Sequence, residues 1–233
     1  MNCNCDTFTF LTNYILVFSL EEVKNYLSEK KSIDSLNNEL NQNNTNHQLL
    51  NNSFNNNNFI SIQNANNVNP MNNYNQNINH DKITIFDCFD YFQKIELLKE
   101  NKQIFCRHCK QVSNALYCCT LKKTQKILII CFERKKEFNT NLKLEYYEFL
   151  DLSKYATDKY NQNNKYKLIG IISAKDDIAK NENFIAHCLS PIDYQWYTYN
   201  DSNVNRIDNF QKEVIEGGIP YLLVYKKIEE KLN

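Results

Sequence analysis

A stretch dominated by asparagine, from Asn37 to about Asn79 and including Asn55–Asn58, cuts this chain in two. It carries too few apolar side chains for burial to offset the entropy of ordering it, so residues 36–82 are expected to form a disordered insertion. The entropy of closing a loop grows only with the logarithm of its length, so such an insertion can interrupt a domain without destroying it. The fold must then come from a short piece, residues 1–35, and a dense piece, residues 83–227, with a tail at 228–233.

Within the dense piece, Phe86, Phe89, Tyr91, Phe92 and Ile95 fall near helical spacing and predict a helix over about Ile85–Leu98. The runs that follow are strand-sized, β-branched or aromatic, and bounded by polar turns: Ala115–Leu121, Lys126–Phe132, Lys165–Ser173, Phe184–Leu189, Trp196–Tyr199 and Tyr221–Tyr225. Ser190-Pro191-Ile192-Asp193 reads as a hairpin turn between two of them. A helix followed by mostly antiparallel strands gives an α+β class.

Charge excludes several functions. Lysine and arginine (27) balance aspartate and glutamate (27), so there is no basic excess to meet nucleic acid or an anionic membrane. The best apolar runs, Tyr14–Phe18 and Ile127–Phe132, are far shorter than the roughly 18 residues of a membrane helix. The first residues lack the basic and apolar regions of a signal peptide. The nine cysteines are odd in number, and two form a C-x-x-C, which suits an intracellular, reduced protein of cytoplasm or nucleus better than a disulfide scaffold.

That motif is Phe105-Cys106-Arg107-His108-Cys109-Lys110. Two thiolates at this spacing can turn onto one tetrahedral zinc ion, which would be structural. A full site needs further ligands. Cys5 and Cys3 are the candidates, at a C-x-C spacing one residue short of the usual knuckle, so the alternative of a metal-free relic stays open. His108 is expected as a solvated loop residue, and Cys118-Cys119, adjacent on a strand-like run, point to opposite faces and make poor co-ligands.

The order of these segments resembles the ubiquitin-specific protease family, cysteine hydrolases that remove ubiquitin from proteins. Asp87-Cys88-Phe89-Asp90-Tyr91-Phe92 with Glu96-Leu97-Leu98 is similar to the family's D-C-L-x-x-F…E-x-L helix, and Phe105, Cys106, Cys109 and Lys110 to its knuckle. Leu128–Arg134 resembles the strand ending L-K-R-F, and Tyr166–Ile172 the Y-x-L-x-x-V-I strand. Ala186-His187-Cys188 stands where G-H-Y is expected, and Trp196–Val204 matches W-x-x-F-(N/D)-D-x-x-V. Pro220–Tyr225 resembles the closing A-Y-x-L-x-Y strand. The likeness is strong over about Ile83–Lys227 and reaches more weakly back to Cys5–Leu20.

The resemblance implies a papain-like hand, of which this chain would be the fingers and palm. It implies ubiquitin or a ubiquitinated protein as partner. Nothing close to the nucleophile box G-N-T-C-Y occurs in the 233 residues, so the thumb is expected to be missing and the chain inactive alone. The alternative is a catalytically inactive ubiquitin-binding or scaffold module. A thiol attacks a carbonyl as thiolate, an imidazole takes its proton, and a third group orients the ring. By resemblance His187 is the base and Asn200 the orienting group, on neighbouring strands and roughly diagonal; Asp201 braces the site or caps a turn. Trp196 is expected to pack as core. Cys88, on a buried-looking helix, and Cys188, on the strand face opposite His187, are not expected to replace the nucleophile.

Overall fold

The structure, a computed structural model, describes residues 15–44, 82–134, 142–157, 163–174, 184–216 and 218–229. The chain divides into two compact units, residues 1–27 with 81–233, and residues 28–80. The expected insertion falls largely on residues 45–81, which lie outside the described ones.

The first unit is built on an eight-stranded sheet. Its path runs from β1 (Ile15–Ser19) through β7 (Ile127–Glu133), β14 (Ile219–Lys227), β10 (Lys165–Ala174), β11 (Phe184–Leu189) and β12 (Trp196–Asn200) to β13 (Asn203–Arg206), and β9 (Phe149–Asp151) pairs with β10. Only the β1–β7 contact is parallel. Runs such as Ile127-Leu128-Ile129-Ile130-Cys131-Phe132 put apolar side chains on both faces, the pattern of a sheet meant to be covered twice.

One face holds the core. In register across it lie Leu16, Ile130, Leu223, Ile171 and His187, all buried. Helix α2 (Ile85–Phe92) packs with this core through Ile85, Cys88 and Phe89, spaced along one helical stripe. Phe89 meets Phe18 at 5.5 Å and Tyr155 at 5.2 Å between ring centroids. Each such ring or branched side chain contributes about 1.5–3 kcal/mol on full burial.

Local chemistry sets where α2 starts and stops. Thr84 caps it: its Oγ1 accepts from Asp87 N at 3.2 Å, and Asp87 Oδ2 accepts from Thr84 N at 2.8 Å, a reciprocal capping box. The expected helix to Leu98 ends earlier, at Phe92, because Glu96–Leu98 forms strand β3 and pairs with β6 (Ala115–Tyr117). A second small hairpin joins β4 (Ile104–Cys106) to β5 (Gln111–Ser113), and β2 (Lys82–Thr84) runs parallel to β8 (Lys143–Glu145).

The expected strand Ala115–Leu121 stops at Tyr117, which leaves Cys118 and Cys119 outside it. The other expected strands stand at or near their places, with Phe184–Leu189 unchanged and Tyr221–Tyr225 lengthened to Ile219–Lys227. Helix α1 (Leu20–Asn44) was not foreseen. Ser19 Oγ accepts from Glu22 N at 3.4 Å at its start, and Leu20 and Val23 are buried. Its backbone continues through Asn44, past the start of the expected insertion at residue 36. No described helix is long and apolar enough to cross a membrane.

Candidate functional site

The β11–β12 hairpin turns at Ser190–Gln195, where Ser190 N donates to Gln195 O at 2.9 Å and Tyr194 N to Ser190 O at 3.0 Å. Counting back from that turn fixes the register: Leu189 opposite Trp196, Cys188 opposite Tyr197, His187 opposite Thr198, and Ala186 opposite Tyr199. Asn200 is therefore one same-face position beyond Thr198, diagonal to His187, where Cβ atoms lie within about 7–8 Å. Trp196 packs as core at 4.7 Å from the Phe210 ring.

The imidazole meets a hydroxyl directly across the strand pair. His187 Nδ1 lies 2.9 Å from Thr198 Oγ1, and the ring tautomer decides which of the two donates. His187 is only 3% exposed. Burial lowers its pKa, and the Glu213 carboxylate works in the opposite direction. The ring is thereby kept neutral at neutral pH, the form a base requires. Glu213 belongs to a π-helical turn, Gln211–Ile215, and its Oε1 accepts from Asn209 N at 2.8 Å.

Asp201 is exposed and has φ of 50° in the two-residue loop that joins Asn200 to its partner Asn203. Aspartate tolerates this left-handed conformation better than most residues, which makes a turn role sufficient for it. Cys188 sits on the face opposite His187, and burial pushes its thiol pKa up. Cys88 is fully buried in α2, where burial and the neighbouring Asp87 carboxylate push its thiol far up. Neither favours a thiolate.

Cys106 and Cys109 flank the β4–β5 turn, both half-buried, with Lys110 at φ 54° closing it. The other candidate ligands, Cys3 and Cys5, lie outside the described residues. Among the described residues no group of three or more His, Cys, Asp or Glu side chains could hold a metal ion. His108 is exposed.

The family model for ubiquitin carboxyl-terminal hydrolases matches residues 13–225. The chain belongs to this family. It is 31% identical over 160 residues to ubiquitin carboxyl-terminal hydrolase 8 of Saccharomyces cerevisiae, a match covering 62% of this chain and 33% of the relative. It is 24% identical over 151 residues to hydrolase 2 of Bos taurus, covering 62% and 24%. Among solved structures it resembles the SAGA deubiquitinase module of Ubp8, Sgf11, Sus1 and Sgf73 bound to ubiquitin aldehyde, with TM-score 0.50, 27% identity, and 64% of this chain and 35% of that chain covered. The same module bound to monoubiquitin gives TM-score 0.51 at 28% identity, covering 64% and 34%. These hydrolases share the α+β fold described above. The chain spans a third or less of the length of the two curated relatives, so what those whole proteins do does not transfer to it directly.

Proposed function

We propose that these residues form the palm and fingers of a thiol-dependent ubiquitin hydrolase acting in protein deubiquitination. The chain engages ubiquitin or a ubiquitinated protein inside the cell, in cytoplasm or nucleus. His187 is the base and Asn200 orients it, with Asp201 at the turn beside them. The thiol comes from a segment outside the 233 residues, which contain no G-N-T-C-Y box. The observation that carries this reading is the register of β11 and β12, which sets His187 and Asn200 diagonally on one face within the region matched by the family model. Exposed Phe105 and Val112, paired across the β4–β5 hairpin, add an apolar surface for a protein partner. Zinc on Cys106 and Cys109, with Cys5 and Cys3, would brace that hairpin.

A second reading has one specific observation in its favour. A base that must meet a thiol from another segment belongs at an open surface, yet His187 is buried in the row of Leu16, Ile130, Leu223 and Ile171 and engaged by Thr198. On that reading His187 is a packing residue, and the chain is a catalytically inactive ubiquitin-binding or scaffold module.

The two are separated by supplying the nucleophile box from a related enzyme and measuring turnover of a ubiquitin conjugate. A base lost in His187→Ala costs on the order of 10²–10⁴ in rate, with a smaller loss for Asn200→Ala. Full activity in His187→Ala removes the base assignment. No activity in a folded, ubiquitin-binding assembly selects the binding module.

A further inference from the structure

Thr198 holds an unspecified position of the W-x-x-F-(N/D)-D-x-x-V pattern, so nothing in that pattern gives it a role. The structure puts it directly opposite His187 across the β11–β12 pair, with Oγ1 2.9 Å from Nδ1. Asn200 stands one same-face position further along β12. Directly opposed Cβ atoms lie about 4.5–5.5 Å apart and diagonal ones about 7–8 Å, so the hydroxyl meets the ring from close by while the amide must reach across. Among the described residues, His187 makes no side-chain hydrogen bond but the one to Thr198. Threonine is also branched at Cβ, which restricts its rotamers and makes it a stiff support. Its same-face neighbour Trp196 packs on the Phe210 ring at 4.7 Å, so the strand that carries the hydroxyl is itself anchored.

We infer that Thr198 is a positioning residue for His187, holding the ring hydrogen on Nδ1 and leaving the Nε2 lone pair to take the thiol proton. Its value to catalysis rests on the hydrolase reading. The tautomer follows from burial. With the hydrogen on Nε2, Nδ1 would accept from the hydroxyl and a buried N–H would be left with no acceptor. With the hydrogen on Nδ1, the hydroxyl accepts it and only a lone pair is left over. That is the lesser loss, since orphaned buried N–H groups are rarer than under-satisfied acceptors. In the proton transfer the S–H bond breaks, an Nε2–H bond forms and the electron pair stays on sulfur. The ring is then a cation, and its Nδ1–H bond to Oγ1 becomes charge-assisted and stronger, so Thr198 steadies the imidazolium as well as the neutral base. Asn200, diagonal on the same face, adds to this support, and the ring has two orienting neighbours where the pattern supplies one.

Long-range proton–nitrogen correlation NMR of the imidazoles in the full 233-residue chain, above the pH range where the ring protonates, tests the positioning without any turnover. His187→Gln picks its signal out of the four histidines. The wild type is expected to carry its hydrogen on Nδ1, Thr198→Val to lose that preference, and Thr198→Ser, which keeps the hydroxyl, to restore it. Thr198→Ala stands in for the valine variant should that one not fold. A wild-type ring with its hydrogen on Nε2, or a folded valine or alanine variant with the wild-type spectrum, overturns the inference. Turnover of a ubiquitin–fluorophore conjugate is then read in the chain completed by a related enzyme's nucleophile segment. There Thr198→Val should lower kcat by about tenfold or more with KM little changed, the mark of a misplaced base, and Thr198→Ser should recover most of it. Full kcat in the valine variant of an active assembly overturns the inference as well. An assembly inert with every variant, the wild type included, defeats the hydrolase reading instead, and the spectra alone then decide what Thr198 does to the ring.

Discussion

His187 Nδ1 and Thr198 Oγ1 meet at 2.9 Å across the β11–β12 pair, on the buried face of the main sheet. Each is the other's answer to desolvation, because a buried imidazole nitrogen or hydroxyl without a partner costs about 1–3 kcal/mol. His187→Ala should therefore destabilise the chain by about 2 kcal/mol, from the cavity and the stranded hydroxyl together. Chemical denaturation measures it. A change within about 0.5 kcal/mol, the range of ordinary surface substitutions, would mean that the ring is not packed as described.

The same residue should make stability depend on pH. Burial holds the folded pKa below the ordinary 6.5, so the unfolded chain binds the proton more tightly. The stability contributed by the neutral ring is complete above about 6.5, is lost as pH falls towards the folded pKa, and then levels off. His187→Gln should lack that loss, so the difference between the two proteins should show it in this window. A variant that follows the wild-type profile through this window would assign the pH dependence elsewhere.

The start of α2 depends on one carboxylate. Asp87 Oδ2 accepts from Thr84 N at 2.8 Å and from Thr84 Oγ1 at 2.7 Å, while Asp87 N donates back to that hydroxyl. Asp87→Ala should cost about 1 kcal/mol, the usual effect of losing a cap. An unchanged denaturation midpoint would show that packing of Ile85 and Phe89 alone sets the helix.

Much of this architecture is legible in the sequence because the strands of the main sheet are long and β-branched. Lys165–Ala174 and Phe184–Leu189 carry enough apolar residues to identify themselves. Glu96–Leu98 does not: its three residues continue a helical pattern and become a strand only because Ala115–Tyr117 offers a partner. Helix α1 hid for a different reason. Among its described side chains the buried ones, Leu20 and Val23, stand at its start with Leu27 packed beside them, so the apolar stripe is short. The diagonal of His187 and Asn200 follows from the turn, and the direct pairing with Thr198 could have been counted from the same turn once Ser190 and Gln195 close it. His187 stands for G-H-Y by its histidine and by the Trp196–Val204 segment that follows it, since Ala186 and Cys188 replace its neighbours. Such motif letters carry no information about burial, and burial is the property on which the two functional readings divide.

The knuckle makes a compositional prediction. Protein purified under reducing conditions should carry at most one zinc ion per chain, and Cys106→Ser with Cys109→Ser should abolish it. Removal of zinc should lower protection of the β4–β5 hairpin amides from hydrogen exchange and leave the main sheet unaffected. Zinc that persists in the double variant would place it elsewhere.

Turnover of a ubiquitin–fluorophore conjugate tests the central claim most directly, measured for the chain alone and for the chain completed by a related enzyme's nucleophile segment. The account predicts no turnover by the 233 residues alone and turnover by the completed assembly, diminished in Asn200→Ala. Turnover by the chain alone that a single cysteine substitution abolishes would contradict it, as would a completed assembly that folds, binds ubiquitin and never cleaves.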